Sequence, residues 1–412
     1  PPLRHHPLHM PPRRGRTPRG CCVSGRLRPL EPSEAEEVAH RRAVSFGATG
    51  DRDALLETVT AQLEAGEYLG WEVDGRVYAQ CRVSVVDHWF GGRRVPCQHV
   101  ASVAVAPEHR GRGVARALMA AVVERGAAEG AGLSLLFPAT TRAYRSSGYE
   151  HAGVFTRYGV EARAVPALGP NLRPVRGEVD WAAIRACAER AARRLNGPEV
   201  RSEARWATLR EARFAYVLDG IDPGTVDAYV LFDHVKRPGD WRYDLKIRDW
   251  AATTPTGMEA VVGLIGSHGS LGHSATFRGT LPEPWSLLLA EQDVALEESF
   301  WWMGRGLDLQ AAIAARGFPS GLAASVTFAV DDPLLPAARG PWRLDVADGE
   351  GRLRPFPGAD VRLDVRAVGP LFTGFRDPET LRLAGLVRGP DDALRLLGEI
   401  FAGPTPVLLD FF

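Results

Sequence analysis

Cysteine is scarce in these 412 residues: there are five, at 21, 22, 81, 97 and 187, an odd number with no CxxC and no paired spacing that suits zinc. Neither a disulfide scaffold nor a structural zinc site is expected, and a reduced, cytoplasmic setting fits best. Lysine is rarer still, standing only at 236 and 246, so the basic residues are nearly all arginine. A surplus of either charge is also missing, because 50 basic residues balance 50 acidic ones. No global field therefore draws the chain to nucleic acid or to an anionic membrane, and any anion site must be local. No apolar run approaches the roughly twenty residues that span a bilayer. The opening PPLRHHPLHMPPRRGRTPRG lacks the apolar segment of a secretory signal and reads as a disordered basic tail over 1–24, with His5, His6 and His9 incidental to it.

The length implies roughly two to four domains. GRLRPL (25–30) reads as a short strand, and Ser33 before an acidic turn signals a helix. Three β-rich runs follow, with DG (74–75) and GG (91–92) marking hairpin turns. A helix is expected from Gly113 to about Gly130, then a buried strand at 133–138, a helical turn in TTRAYRSSGYEHAG and a further strand in VFTRYGVEA. RAVPALGPN (163–171) makes a linker, after which strand, helix, three strands and the helical TPTGMEAVVGLIGSHG repeat the order of the first module. A third unit is expected from WWMGRGLDLQAAIAARGF onward, with strands in SVTFAV, WRLDVADG, GRLRPF and DVRLDVRAV, helices towards its end and VLLDFF as a last β-like segment. The boundaries follow as a catalytic domain at 25–167, a degenerate copy at 168–298 and an α+β domain at 299–412.

The most informative stretch is VAVAPEHRGRGVARAL (103–118), where a strand runs into a helix N-terminus. The first helical N–H groups lack intrahelical acceptors and carry the positive end of the helix dipole, so such a corner attracts phosphate. Gly111 and Gly113 remove Cβ atoms that would keep a pyrophosphate off the backbone, and Arg110 and Arg112 add charge. By itself this pattern also fits a surface helix cap with scattered arginines. The copy in the second module reads ATTPTGME at the same place and lacks the corner.

Taken whole, the string V-A-V-x-P followed by R-G-R-G-V resembles the coenzyme A signature of the GNAT N-acetyltransferases, with the meander before it and the helix, strand and YRSSGY turn after it in that family's order. The resemblance implies an α+β chain with a GNAT fold at its start, and acetyl-CoA as co-substrate with no metal. It implies that Val103 and Val105 face the pantetheine arm and that Arg110, Gly111, Arg112, Gly113 and Val114 take the pyrophosphate. Over 28–412 the chain is similar to the Eis (enhanced intracellular survival) acetyltransferases of actinobacteria: a GNAT domain, a degenerate GNAT-like domain and a last domain of the sterol-carrier-protein fold. That subfamily acetylates amines, including those of aminoglycosides and lysine, by direct attack on the thioester, and its members are typically homo-hexamers.

The same resemblance gives Tyr144, in the YRSSGY turn, the part of general acid, and the α-carboxylate of Phe412 that of general base. From the residues alone, Tyr149 rivals Tyr144, and either could be core packing. A phenol near pKa 10 can donate to a thiolate, whereas an α-carboxyl near 3.3–3.7 is a weak base unless desolvated. The apolar VLLDFF end argues for docking, yet a strand that closes the third domain's sheet would dock as well. Phe411 stands where the subfamily carries an acid, with Asp410 one place earlier and, by strand alternation, facing the other way. No acid is evident after the first helix unless Asp51 or Asp53 folds back, so a polycationic substrate is less strongly attracted. His88, Trp89, His99 and His109 are pocket candidates or packing. Two other readings stay open: an acetyltransferase dedicated to one biosynthetic intermediate, and a lipid- or ligand-binding protein acting through its last domain.

Overall fold

The computed structural model describes residues 24–47 and 50–412. Cys21, Cys22, the tail histidines and all of the expected basic tail except Ser24 lie outside the described residues. The chain opens with β1 (Arg26–Pro29) and α1 (Ala35–Phe46), then adds α2 (Arg52–Glu64), a helix the sequence reading does not separate. Its signals are ordinary ones: Asp51 accepts from the Asp53 N–H as N-cap, and Leu55, Leu56, Val59 and Leu63 recur at helical spacing. Asp51 is thereby committed to a helix end. The meander β2 (Tyr68–Val73), β3 (Arg76–Phe90) and β4 (Arg93–Val105) turns at Asp74–Gly75 and Gly91–Gly92, where all four residues have positive φ (48°, 76°, 59° and 79°). Such turns match the right-handed twist of the strands they join. The first unit continues through α3 (Val114–Ala128), β5 (Leu133–Leu136), α4 (Thr141–Arg145) and β6 (Glu150–Glu161).

The second unit repeats this order with β7 (Arg173–Pro174), α5 (Glu178–Ala192), α6 (Glu203–Arg210), β8 (Phe214–Asp219), β9 (Val226–Lys236), β10 (Tyr243–Ala252), α7 (Pro255–Ser267), β11 (Gly272–Arg278) and β12 (Ala295–Gly306). Both units share one twelve-stranded sheet of order β1-β2-β3-β4-β5-β12-β6-β11-β10-β9-β8-β7. They exchange their last strands, since β12 pairs with β5 and β6 pairs with β11. This corrects the reading of WWMGRG as the start of the third unit, and a boundary at 298/299 would cut β12. The reason is non-local: an apolar run such as Trp302–Met303 must be buried, but the run does not say between which strands.

The third unit comprises α8 (Leu309–Ala315), β13 (Ala324–Asp331), β14 (Trp342–Ala347), β15 (Glu350–Pro355), β16 (Val361–Asp364), α9 (Val365–Thr373), α10 (Pro378–Leu383), β17 (Val387–Arg388) and α11 (Asp391–Ile400). Its sheet runs β15-β14-β13-β16-β17. DVRLDVRAV, read as one strand, is half strand and half helix, because Asp364 accepts from the Arg366 N–H and caps α9. VLLDFF does not close this sheet. It crosses to the large one, where Leu408 N–H donates to Val154 O (2.9 Å) and Val154 N–H to Pro406 O (3.0 Å), a single parallel bridge on β6.

Buried charge fastens the third unit to the first two. Arg305 of β12, fully buried, donates to both oxygens of Asp332 (2.9 and 2.8 Å), which also accepts from the Leu334 and Leu335 N–H groups. Thr373 of α9 donates to Ala152 O at 2.7 Å. Removing one member of a buried pair strands the other charge, so Asp332→Ala is expected to lose about 3–5 kcal/mol of stability. Denaturant titration checks this, and a loss below about 1 kcal/mol, the value of a surface pair, would contradict it.

Candidate active site

The glycine-arginine corner lies where β4 ends and α3 begins. Gly111 and Gly113 have φ of 75° and 86°, the left-handed region open to glycine at little cost, and a Cβ at Gly111 would meet nothing within 4 Å. Gly113 is the N-cap of α3 and no side chain covers that helix end. Gly111, Arg112 and Gly113 are exposed, whereas Val114 is buried and packs the helix onto the core. Arg110 bends back, donating to Val105 O (3.1 Å) and Ser45 Oγ (3.3 Å), which braces the strand end. The corresponding helix of the second unit is closed instead: Thr254 Oγ1 accepts from the Gly257 N–H (3.1 Å), and Pro255 has no N–H. Exposed, uncapped N–H groups over open ground suit a pyrophosphate in the first unit, and the second unit lacks them.

Val103 and Val105, half-buried, sit on the last stretch of β4. That strand pairs with β3 as far as Val105, but with β5 only from Cys97 to His99. Beyond His99 the two strands part, and among the described residues no strand pairs with the β4 edge that carries Val103 and Val105. Ser102, at φ 50°, marks the irregularity that accompanies this bend.

Two tyrosines follow β5, Tyr149 bonded to that strand and Tyr144 packed on Tyr149, and their hydroxyls differ. Tyr149 is fully buried and donates to Ser134 Oγ (2.7 Å), which donates to Gln98 Oε1 (2.8 Å), so its proton is committed. Tyr144, on α4, is buried edge-on to Tyr149 with ring centroids 6.3 Å apart, and its hydroxyl makes no side-chain hydrogen bond to another described residue. Burial pushes its pKa up to about 12, so the phenol keeps its proton through the neutral range.

The chain end lies where β4 and β5 part. The Phe412 ring stacks on His99, the last residue of β4 paired with β5, with centroids 3.5 Å apart and planes within 10°. It also lies 5.3 Å from Phe137, just past β5. His99 Nε2 is 2.6 Å from His88 Nε2, and His88 Nδ1 is 2.5 Å from Gly197 O. A carbonyl only accepts, so His88 carries its proton on Nδ1 and His99 donates through Nε2. Burial holds both rings neutral: His88 is pushed down to about 4, and His99 well below its usual value. Further back, Arg201 donates to Asp410 (2.8 Å) and to both oxygens of Asp249 (2.6 and 2.8 Å), and Tyr229 donates to Asp249 as well. Arg205 and Arg278 hold the carbonyls of Phe411 (2.8 Å) and Leu409 (3.0 Å). Asp410 is buried and Phe411 exposed, so they do face opposite ways.

Among the other candidates, Trp89 lies under the guanidiniums of Arg94 and Arg193, and His109 stacks on Tyr78 at 3.4 Å. A cavity of about 510 Å³ opens in the second unit, with Trp250, Met258, Arg201 and Asp410 in its walls; neither Tyr144 nor the corner lines it. Among the described residues no cluster of three or more His, Cys, Asp or Glu could hold a metal. No helix there is long and apolar enough to cross a membrane. Sequence reasoning missed Arg201 and Asp249, which become informative only through partners far along the chain, and it named His88 and His99 without their pairing.

Comparison with known proteins agrees with this architecture. The acetyltransferase (GNAT) domain profiles match residues 26–152 and 197–306, and the sterol carrier protein domain profile matches 309–409. A GCN5-related N-acetyltransferase structure from Kribbella flavida is 33% identical, covering 94% of this chain and 98% of its own, with a TM-score of 0.82. Another from Anabaena variabilis is 26% identical over 94% and 100%, with a TM-score of 0.85. The N-acetyltransferase Eis of Mycobacterium tuberculosis is 27% identical over 341 residues, 77% of this chain and 81% of that protein.

Two buried neutral histidines set a pH dependence. In the unfolded chain a histidine binds a proton near pH 6.5, whereas in the folded one His88 does so only near 4, so stability falls as pH drops through that window. The limit for His88 alone is about 3 kcal/mol, and Glu199, whose pKa burial and Asp410 raise, works in the opposite sense. The thermal midpoint is expected to fall between pH 6.5 and 4.5, and less so in His88→Asn; a flat wild-type profile would contradict this.

Proposed function

The chain belongs to the GCN5-related N-acetyltransferase family and is an acyltransferase, and we propose that it transfers acetyl from acetyl-CoA directly to primary amines, with Tyr144 as general acid and the Phe412 α-carboxylate as general base. The observation that carries this reading is the placement of the last residue on His99, at the point where β4 and β5 separate. The coarse chemistry follows from the family, and the roles of individual residues are the proposal. Aminoglycoside-like and lysine-type amines are the acceptor classes that the Eis resemblance implies, as is a homo-hexamer, which light scattering would test.

The residues at the corner fit the cofactor. The uncapped α3 terminus at Gly113, the open ground over Gly111 and the charge of Arg112 would hold the pyrophosphate. Val103 and Val105 would offer backbone groups to the pantetheine arm, since that edge of β4 pairs with no other strand. Acetyl-CoA, when bound, supplies an activated thioester. The amine arrives as an ammonium at neutral pH, pairs with the Phe412 carboxylate and gives up its proton there. Water strongly weakens a carboxylate as a base, so this role requires that the bound substrates shield the Phe412 carboxylate, beside which the Phe137 ring lies 5.3 Å from the Phe412 ring. Tyr144 keeps its proton up to about pH 12, and its hydroxyl makes no hydrogen bond to another described residue, which leaves the proton free for the departing sulfur.

Thiol release from acetyl-CoA in the presence of a mixed panel of primary amines tests the activity. Tyr144→Phe is expected to lower kcat about 10²–10⁴-fold with the Kd for acetyl-CoA unchanged. One glycine appended after Phe412 should lower kcat by at least about 10²-fold on the same ground. An unchanged kcat in the extended chain would remove the terminal carboxylate from the mechanism, and intact cofactor binding without turnover of any amine would count against transfer altogether.

A further inference from the structure

The rings around the chain end do not stop at Phe412. Phe411 is 52% exposed, and its ring stacks on Phe137 (4.2 Å, planes at 23°) and lies edge-on to Phe155 (6.0 Å). Phe300 of β12 is 47% exposed and stands opposite Phe155 of β6 in the strand register, with centroids 6.4 Å apart. Phe137, Phe155, Phe300 and Phe411 thus form one aromatic wall running from Phe412 to solvent. Half-exposed phenylalanines grouped beside a reactive group mark a surface that apolar matter covers.

Most of the charges beside this wall are already paired. Asp410, beneath Phe411, is buried against Arg201. Glu199 is held by Arg205 (3.2 Å), and Glu297 and Glu298 share the single guanidinium of Arg157 (3.5 and 3.2 Å). Arg278 lies 5.1 Å over the Phe155 ring and donates to Leu409 O. The only negative charge in this set left over belongs to the Glu297–Glu298 pair, which lies beyond Phe300 and shares one guanidinium, and an ammonium pressed against the apolar rings themselves without a counter-charge is costly. A single ammonium meets the one terminal carboxylate, while a flat apolar body gains by stacking on the rings.

We propose that the acceptor is a primary amine with one positive charge and an aromatic or otherwise apolar body, selected by the wall of Phe137, Phe155, Phe300 and Phe411 over polyamines and aminoglycosides. The inference rests on the acetyl-transfer reading for its site, and for the acceptor it replaces the aminoglycoside-like class that the Eis resemblance implies. Phe411 is the specificity-determining residue, because its side chain is the wall's most exposed ring and directly precedes the terminal residue.

Binding and turnover together test it. With coenzyme A present, titration calorimetry of 2-phenylethylamine and spermidine should give at least tenfold tighter binding of 2-phenylethylamine. With acetyl-CoA, kcat/KM should favour 2-phenylethylamine over spermidine and kanamycin by a similar factor. Phe411→Glu should remove that preference, whereas Phe411→Leu should retain part of it. Tighter binding of spermidine by the wild type, or a preference that Phe411→Glu leaves intact, overturns the proposal. Selective binding without thiol release of any amine supports the wall's selectivity and counts against the transfer reading instead. A wall covered by a second copy would give no 2-phenylethylamine binding and an oligomer that Phe411→Glu dissociates in sedimentation velocity, which also overturns the proposal.

Discussion

One guanidinium holds the end of this chain in place. Arg201 lies between Asp249 of β10 and Asp410 of the terminal segment, and all three side chains are at most 9% exposed. Arg205 and Arg278 complete the cluster through Glu199 and the carbonyls of Phe411 and Leu409. Burying so many charges is favourable only when each finds its partner, so the set forms as a unit or is costly. Chain ends ordinarily fray. This one is fixed by an ion triad, a backbone bridge to Val154 and a ring stacked on His99.

The duplication explains where that anchor comes from. Both units build the strands, crossover helix and parting strands of the same fold, and the exchange of β6 and β12 joins them into one sheet. Their helix termini then diverge. α3 begins on a bare glycine with exposed N–H groups, while α7 is capped by Thr254 and started by a proline. The second unit supplies Arg201, Asp249 and Arg278 instead, and so holds the terminal segment against the first. The third unit, tied down by Arg305–Asp332, brings the chain back across the sheet.

What the sequence discloses is mostly local. The corner needs only a strand, two glycines at positive φ and a helix start within a dozen residues, and it is present as read. The two hairpins follow from Asp74–Gly75 and Gly91–Gly92 in the same way. Residue type alone does not separate Tyr144 from Tyr149; they differ in that the Tyr149 hydroxyl is bonded, through Ser134 and Gln98 on other strands. WWMGRG and DVRLDVRAV were misplaced because an apolar run fixes that it is buried but not against what, and an aspartate can end a strand as well as sit in one. The histidine pair and the Arg201 cluster join residues about 11 to more than 200 positions apart, beyond the reach of periodicity or spacing.

If the terminal carboxylate works in the acetyl-transfer site, loosening its anchor without touching the site should slow the reaction. Asp410→Asn keeps the size of the side chain and removes the charge that Arg201 holds. The measurement is kcat for acetyl transfer in this variant, alongside the Kd for acetyl-CoA. A fall in kcat of at least tenfold with the Kd unchanged is the predicted result; a wild-type kcat in a folded variant would contradict it.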